Sequence, residues 1–426
     1  MAAVSAILVY VGGYGLSKIA PLLFGMCAAN VYSHKSYALI LNLIVQANFL
    51  TAVSSVGYVQ LILTGGGAER KSGEGAAAYA FRAVLFAALV SLLGGCWAAY
   101  TAAGAGTWSR LGAGFVVACY SFGSSTLGTA IGHANAELEN ARAGLLYAVG
   151  IVIPYLIGFV LVWLGRTDCA AFESVAAAIA VLSLCAYWAK NRDYVLNLSG
   201  GEALALARRA IPLEASQIYC MIFMGAVLYS HSFTISRVIS RNGASLAAVF
   251  ALGYQLFAVG IAVPGIMGNV VVPRLVRRRG GKGSFNVNYL FALYAAFALA
   301  WLAIVFTFAA PIMGWYSLAA TPGGLAILRI LQLAAVLGAV NALVYQKFAA
   351  RRDFLSMALL ALLYAGVVFL FLGVAGAAAL RAAWGILIAY AVTLSAGLVL
   401  YQLRYGETAE ELPEGMMAPC VEECGR

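Results

Sequence analysis

Long apolar runs separated by short polar stretches follow one another along the whole chain. Each run approaches or exceeds the roughly 20 residues that a membrane-spanning helix needs. The runs are continuous, whereas strands of a membrane barrel would alternate apolar and polar residues. Twelve helical segments are therefore predicted, at 4–32, 36–63, 77–100, 111–131, 143–164, 171–189, 211–235, 244–272, 286–310, 323–347, 354–374 and 381–403.

The longest connection, from Lys190 to Ala210, divides these segments into two sets of six. Its stretch Glu202 to Arg209 predicts a short helix along the membrane surface. The predicted fold is an all-α polytopic membrane protein, with about 12 transmembrane helices in two six-helix lobes around a central cavity. The expected divisions are an N-terminal lobe (1–195), a cytoplasmic linker with an interfacial helix (196–210), a C-terminal lobe (211–404) and a disordered acidic cytoplasmic tail (405–426).

Composition excludes a soluble enzyme. Hydrophobic residues make up 63% of the 426 residues and charged residues 10%, where a soluble domain carries roughly a quarter. Mean hydropathy is +0.92. The first apolar run is full length and has no basic stretch before it, so we expect no cleaved signal peptide.

The charges are unevenly distributed across the predicted membrane. Eighteen of the 26 basic residues fall on the side of the N-terminus and seven on the opposite side. This bias predicts that both termini are cytoplasmic. The net charge is +10, and six of the 16 acidic residues lie in the tail, so the membrane body is more basic than the total indicates. A basic body favours anionic membrane lipids or an anionic substrate as partners.

Lys18 is the one basic residue that falls deep inside a predicted segment. A charge near the bilayer centre costs at least about 2.5 kcal/mol. One interpretation is an ammonium that faces a wet cavity and holds an anionic group such as a phosphate. The alternatives are a lysine closer to the interface, or one bound to carbonyls that Pro21 frees in the same helix.

Amide side chains form the second group of candidates for the cavity. Asn42 and Gln46 are four residues apart and share a helix face, whereas Asn48 points elsewhere; Gln255 and Asn269 are nearly in line on the eighth segment. Amides both donate and accept hydrogen bonds, which suits sugar hydroxyls. Hydrogen bonding between helices is the competing explanation for each of them.

Polar residues at the ends of the seventh segment are the third group. His231, Arg237 and Arg241 either receive a diphosphate or sugar at the outer mouth, or form a solvated basic turn. Glu214 is a candidate for ion coupling, against the alternative of a hydrated residue at the inner interface. No metal-ligand set and no nucleophile–base pair is found, so we expect no metal, cofactor or catalytic residue.

Several stretches carry a family resemblance. YVGGYGLSKIAPLLFG (10–25) followed by SHKSYALILNLIVQANFLTAVSSVGYVQLIL (33–63) resembles the first helical pair of Wzx-type polysaccharide flippases, which export O-antigen and capsule units. FTISRVISRNGASLAAVFALGYQLFAVG (233–260) resembles their seventh and eighth helices, and LRILQLAAVLGAVNALVYQKFAARRD (328–353) the tenth. These flippases are the polysaccharide transporter branch of the multidrug/oligosaccharidyl-lipid/polysaccharide exporter superfamily.

The resemblance implies a flippase and not an enzyme. It implies that an undecaprenyl-diphosphate-linked oligosaccharide crosses the bacterial inner membrane by alternating access, with polysaccharide polymerase and chain-length machinery as partners and no nucleic acid. Lys18 matches the basic first-helix residue that such flippases use near the diphosphate. The alternatives are a cation-coupled multidrug antiporter of the same superfamily, and a membrane glycan polymerase or glycosyltransferase.

Overall fold

The computed structural model describes residues 2–32, 34–65, 76–101, 109–137, 139–211, 215–264, 267–268, 287–373 and 378–405. All regular structure in these ranges is helical, as the continuous apolar runs predict. The helices are α1 (Ala2–Val31), α2 (His34–Thr51), α3 (Gly57–Gly65), α4 (Ala76–Thr101), α5 (Arg110–Ala136), α6 (Asn140–Tyr147), α7 (Ile153–Trp163), α8 (Asp168–Asn197), α9 (Gly200–Arg208), α10 (Ala215–Gly260), α11 (Val287–Trp315), α12 (Pro322–Ala350), α13 (Phe354–Gly373) and α14 (Ala378–Tyr405).

The predicted all-α membrane fold is confirmed, and each of the twelve segments begins on a helix or within a few residues of one. Within the described ranges, nine helices are long and apolar enough to cross a membrane. A tenth span results if the bent pair Leu39–Ser55 and Gly57–Leu63 is counted as one. The acidic tail beyond residue 405, with Cys420 and Cys424, lies outside the described residues.

Two of the predicted segments are interrupted, and a third break falls between two predicted segments. A π-helical turn (Ala52–Val56) joins α2 to α3, and another (Ala148–Val152) joins α6 to α7. Helix α10 breaks at Gly243, whose φ of 74° lies in the left-handed region that glycine adopts without a steric penalty. The break separates 215–242 from 244–260, which is the division that the sequence predicted between the seventh and eighth segments.

The connection between the two halves contains the predicted short helix, α9. Ser199 caps its first turn, and the Ser199 backbone N–H donates to Glu202 Oε2 at 2.9 Å, which completes a capping box. After α9, the chain is held by the first half: Arg82 Nε donates to the Arg209 carbonyl at 2.8 Å, and the Tyr58 hydroxyl donates to the Ala210 carbonyl. The end of the linker is therefore docked on α3 and α4. The predicted domain boundaries stay predictions.

The two halves repeat one polar arrangement at the same end of the bundle. In the first half, Lys190 on the sixth crossing pairs with Glu137 and, at 2.7 Å, with Glu139, in the connection between the fourth and fifth crossings. In the second half, Arg404 on the sixth crossing pairs at 2.9 Å with Asp353, in the corresponding connection. This correspondence supports the interpretation of two repeated six-helix halves.

These ion pairs lower the pKa values of Glu137 and Asp353, which lie in connections between membrane-spanning helices. Partial burial raises the pKa of Glu137, but the Lys190 hydrogen bond and the neighbouring charges outweigh it, so the pKa lies below its ordinary value. Partial burial likewise acts to raise the pKa of Asp353, and hydrogen bonds from Ser356, Tyr405 and Arg404 lower it overall. The ionised form of each carboxylate therefore stabilises the folded state more than the protonated form does.

Helix α1 contacts helix α6 at a point where each helix has a glycine, Gly13 on α1 and Gly144 on α6. A Cβ atom on Gly13 would lie 2.1 Å from the Gly144 carbonyl oxygen, and one on Gly144 would lie 2.5 Å from the Val9 carbonyl oxygen. Gly12 and Gly15, on the same helix, face open space. Small residues at Gly13 and Gly144 thus let two membrane helices approach closely, and this contact fixes the position of α1 in the first half.

Candidate functional site

A cavity of about 310 Å³ lies between the first half of the chain and the part of α10 that follows Gly243. Helices α1, α2 and α5 form most of its wall, and Tyr254, Gln255 and their neighbours close it from the second half. Aliphatic and aromatic side chains dominate the lining. Its polar side chains other than tyrosine are Ser17, Lys18, Asn48, Ser124 and Gln255. An apolar chamber with a few polar groups is typical of a site for a small organic molecule.

Lys18 is part of the wall, as the sequence predicted. It lies sixteen residues into α1, about 24 Å along the helix axis, and its side chain is half-buried. Its Nζ is 5.0 Å from the centre of the Tyr14 ring, a distance at which the ring stabilises the cation. Pro21, one turn later, has no N–H to donate to the Ser17 carbonyl. Lys18 is the one charged residue among the described residues that line this cavity.

Helix α2 turns a different amide toward the cavity than expected. Asn48 lines the chamber together with Tyr37, Leu41 and Ile44, whereas Asn42 and Gln46 are not among the lining residues. At 100° per residue, Asn42 lies about 120° and Gln46 about 160° around the helix from Asn48. Helical periodicity predicts the relative directions of these amides, but it does not show which direction faces the cavity.

Gln255 lies where the two halves meet across the cavity. The Tyr37 hydroxyl donates to its Oε1 at 3.5 Å, which links α2 to α10. In another part of the cavity wall, the hydroxyls of Tyr120 and Tyr155 lie 3.2 Å apart. These tyrosines were not among the candidates predicted from the sequence. A tyrosine in the middle of an apolar segment is nonetheless a usable signal, because a buried hydroxyl needs a partner.

His231 occupies neither of the predicted environments, the outer mouth or a solvated basic turn. It is 3% exposed and lies twelve residues before the break at Gly243, about 18 Å along the helix. Its Nδ1 contacts the Tyr254 hydroxyl, and its Nε2 lies 2.5 Å from the Tyr364 hydroxyl. The prediction was wrong because the helix continues past residue 235 and carries His231 into the core. There the imidazole positions Tyr254, which lines the cavity.

The remaining candidates cannot be placed. Arg237 and Arg241 belong to α10, but their side chains are not described. Glu214 and Asn269 lie outside the described residues. Their assignment to ion coupling or to the cavity stays a prediction.

Solved transporters share this architecture. An outward-facing multidrug resistance MATE family transporter of the MOP superfamily matches with a TM-score of 0.66 at 17% identity, over 96% of each chain. An inward-facing structure of such a transporter matches with a TM-score of 0.65 at 16% identity, over 93% of this chain and 96% of that one. A MOP superfamily transporter from Pyrococcus furiosus matches with a TM-score of 0.61 at 16% identity, over 96% of each chain.

These matches establish the fold. No protein-family model matches the chain, and no curated protein matches it in sequence. At 16–17% identity the likeness extends to the two-lobed helical architecture of the MOP superfamily. This likeness is one of fold, and it does not extend to the polysaccharide branch.

Proposed function

We propose that this protein is an alternating-access exporter of amphipathic organic molecules, with the central cavity as its substrate site. The observation that carries the proposal is the chamber itself, which is apolar, contains Lys18 and is bordered by both halves of the chain. A rocking motion of two halves around such a chamber exposes it to each side of the membrane in turn. The orientation with both termini in the cytoplasm, and a location in the bacterial inner membrane, belong to the same proposal.

The comparisons favour the multidrug-exporter alternative over the lipid-linked oligosaccharide flippase, because the matched structures include multidrug resistance transporters. The charge of the cavity narrows the substrate class. No Asp or Glu is among the described residues of its lining, and Lys18 is. An organic cation in the cavity would be repelled by the Lys18 ammonium, whereas an anionic amphiphile would form an ion pair with it. The Pyrococcus furiosus transporter offers a parallel, since the reverse polarity of its binding pocket suggests a different function.

A lipid-linked oligosaccharide flippase is the second candidate. Lys18 supports it because an ammonium can hold a diphosphate, and Asn48, Ser124 and Gln255 support it because hydroxyls and amides can bind sugars. In this case the lipid tail would stay in the bilayer between the halves. The polymerase and chain-length partners belong to this candidate alone.

Transport into proteoliposomes separates the candidates. Three fluorescent probes are compared: an alkylated sulfonate dye, ethidium, and a prenyl-diphosphate-linked sugar. We expect the sulfonate dye to move faster than in protein-free vesicles and ethidium not to move. Movement of the prenyl-diphosphate probe alone would replace the proposal by the flippase, and movement of ethidium alone would refute the argument from cavity charge.

The role of Lys18 is tested by Lys18→Gln. A charge-assisted hydrogen bond contributes about 1.5–3 kcal/mol, so the apparent affinity for the sulfonate dye should fall roughly tenfold to a hundredfold. Lys18→Arg should restore much of it. Arg329→Gln is the matched control, because Arg329 is an exposed cation that lies over the Phe306 ring, away from the cavity. Equal affinity in wild type and Lys18→Gln would show that Lys18 does not bind the substrate.

A further inference from the structure

One end of the bundle is closed by hydrogen bonds between the two halves. At the end of α1, Asn30 Nδ2 donates to the Trp315 carbonyl at 2.6 Å, and Asn30 Oδ1 accepts from the Ser317 hydroxyl at 2.5 Å. About two helical turns further into α1, the Leu22 carbonyl accepts from the Tyr316 hydroxyl at 2.8 Å. We call these five residues, Leu22, Asn30, Trp315, Tyr316 and Ser317, the α1–α11 latch.

One acceptor in the latch, the Trp315 carbonyl, has no partner within its own helix. Trp315 is the last residue of α11, so its carbonyl receives no helical hydrogen bond, and Asn30 of the other half supplies the donor. Asn30 is held in place from its own side, because Nδ2 also donates to the Met26 carbonyl at 2.7 Å. An amide on one half therefore caps a helix of the other half.

The backbone conformation of Ser317 indicates that this residue does more than end helix α11. Leu318 N–H donates to the Met313 carbonyl and Ser317 N–H to the Gly314 carbonyl, which is a Schellman ending with Ser317 at its left-handed position. Ser317 has a φ of 55°, where glycine is the usual residue. A glycine would remove the strain, but it would also remove the hydroxyl that binds Asn30. The strained conformation is retained where the side chain joins the halves.

Apolar packing surrounds these hydrogen bonds. Phe24 and Ala28 of α1 belong to one buried cluster with Ile312, Tyr316 and Leu318 of the second half. The Tyr316 ring also lies 6.2 Å from the ring of Tyr37, which lines the cavity. Separating the halves at this end would thus break three hydrogen bonds and expose part of a continuous core, and it would open a route toward Tyr37.

We infer that the α1–α11 latch is a gate, which holds the cavity closed at the end that the proposed orientation places outside the cell and which opens in each transport cycle. This inference rests on the proposed alternating-access function. The energy of a few hydrogen bonds is suited to such a gate, because the closed state is favoured but can still be left during transport.

Native Cys27 reports the state of the gate. It lies on α1 one turn before the end and packs, partly buried, against the same cluster. The experiment measures the rate at which a water-soluble maleimide modifies Cys27 in the purified full chain, by peptide mass spectrometry. Reaction of a packed thiol follows the population of the open state. No substrate is needed, so this readout is independent of which probe the protein transports.

Two variants weaken the latch by different routes. Tyr316→Phe removes one hydrogen bond and keeps the ring, and it should raise the Cys27 modification rate roughly twofold to tenfold. Asn30→Ala removes two bonds between the halves and should raise the rate further. Thr101→Ala is the control, because within the described residues the Thr101 hydroxyl bonds to the Trp97 and Ala98 carbonyls of its own helix. Its rate should equal that of wild type.

The outcomes separate the gate from the proposed function. If Tyr316→Phe and Asn30→Ala both react at the wild-type rate, the latch is not a gate, whatever the protein transports. If Asn30→Ala does not fold, Tyr316→Phe alone decides. If the rates rise as expected while wild type moves none of the three probes, the gate stands and the proposed function fails.

Discussion

The contact between Gly13 and Gly144 leads to the sharpest stability prediction. Gly13→Ala places a methyl group 2.1 Å from a backbone oxygen, far inside the van der Waals distance. No flexible side chain can move aside, since the nearest three atoms all belong to the Gly144 backbone. Helix α1 must therefore shift away from α6, and Lys18 shifts with it.

The magnitude follows from two opposing effects. Overpacking of a well-packed site costs about 1–3 kcal/mol, and alanine gains about 1 kcal/mol over glycine in a helix interior. Gly12→Ala and Gly15→Ala have only the second effect, because both positions face open space. The expected difference between Gly13→Ala and these two controls is thus about 1–3 kcal/mol, or roughly 2–6 °C in melting temperature at about 2 °C per kcal/mol.

Melting of the detergent-solubilised variants, followed by the loss of the monodisperse peak on size-exclusion chromatography, measures the difference. Transport by the same samples at a temperature below every transition shows whether Lys18 has moved, since its displacement should weaken binding of the sulfonate dye. If Gly13→Ala melts at or above the temperature of Gly12→Ala and Gly15→Ala, the close approach of α1 and α6 is wrong, and so is the position it assigns to Lys18.

Two further predictions concern the cavity and the ion pairs. Asn48→Leu should weaken binding of the transported probe by about threefold to tenfold, the equivalent of one hydrogen bond, whereas Asn42→Leu should leave it unchanged; the reverse result would show that α2 turns its other face to the substrate. Lys190→Met should lower the free energy of unfolding at neutral pH by roughly 1–3 kcal/mol, which is measured as a lower melting temperature. Because the folded-state pKa of Glu137 lies below its ordinary 4.5, the stabilisation is full above that pH and is lost as the pH falls further. Melting curves across pH should therefore converge for wild type and Lys190→Met at acid pH, and a constant difference would exclude the pairing as the cause.

The membrane fold could be predicted because hydrophobicity acts locally along the chain. A run of about 20 apolar residues has few alternatives to a spanning helix, whatever its neighbours are. The division at Gly243 and the short helix α9 could be predicted for the same reason. A glycine just after Arg237 and Arg241, and a short stretch with a basic end, are both local signals. Lys18 was found because a charge is costly at that depth, and the structure places it in the cavity wall.

The sequence alone was thus enough to predict the class of protein, the helices and two residues of the cavity wall, Lys18 and Gln255. Which face of each helix borders the cavity follows only from packing in the folded protein. There Asn48 lines the cavity in place of Asn42 and Gln46, and His231 lies in the core. The α1–α11 latch joins residues almost 300 positions apart, so no local pattern could indicate it. The physical reason is that helical periodicity gives only the angles between side chains on one helix. The rotation of that helix is set by packing against all of its neighbours.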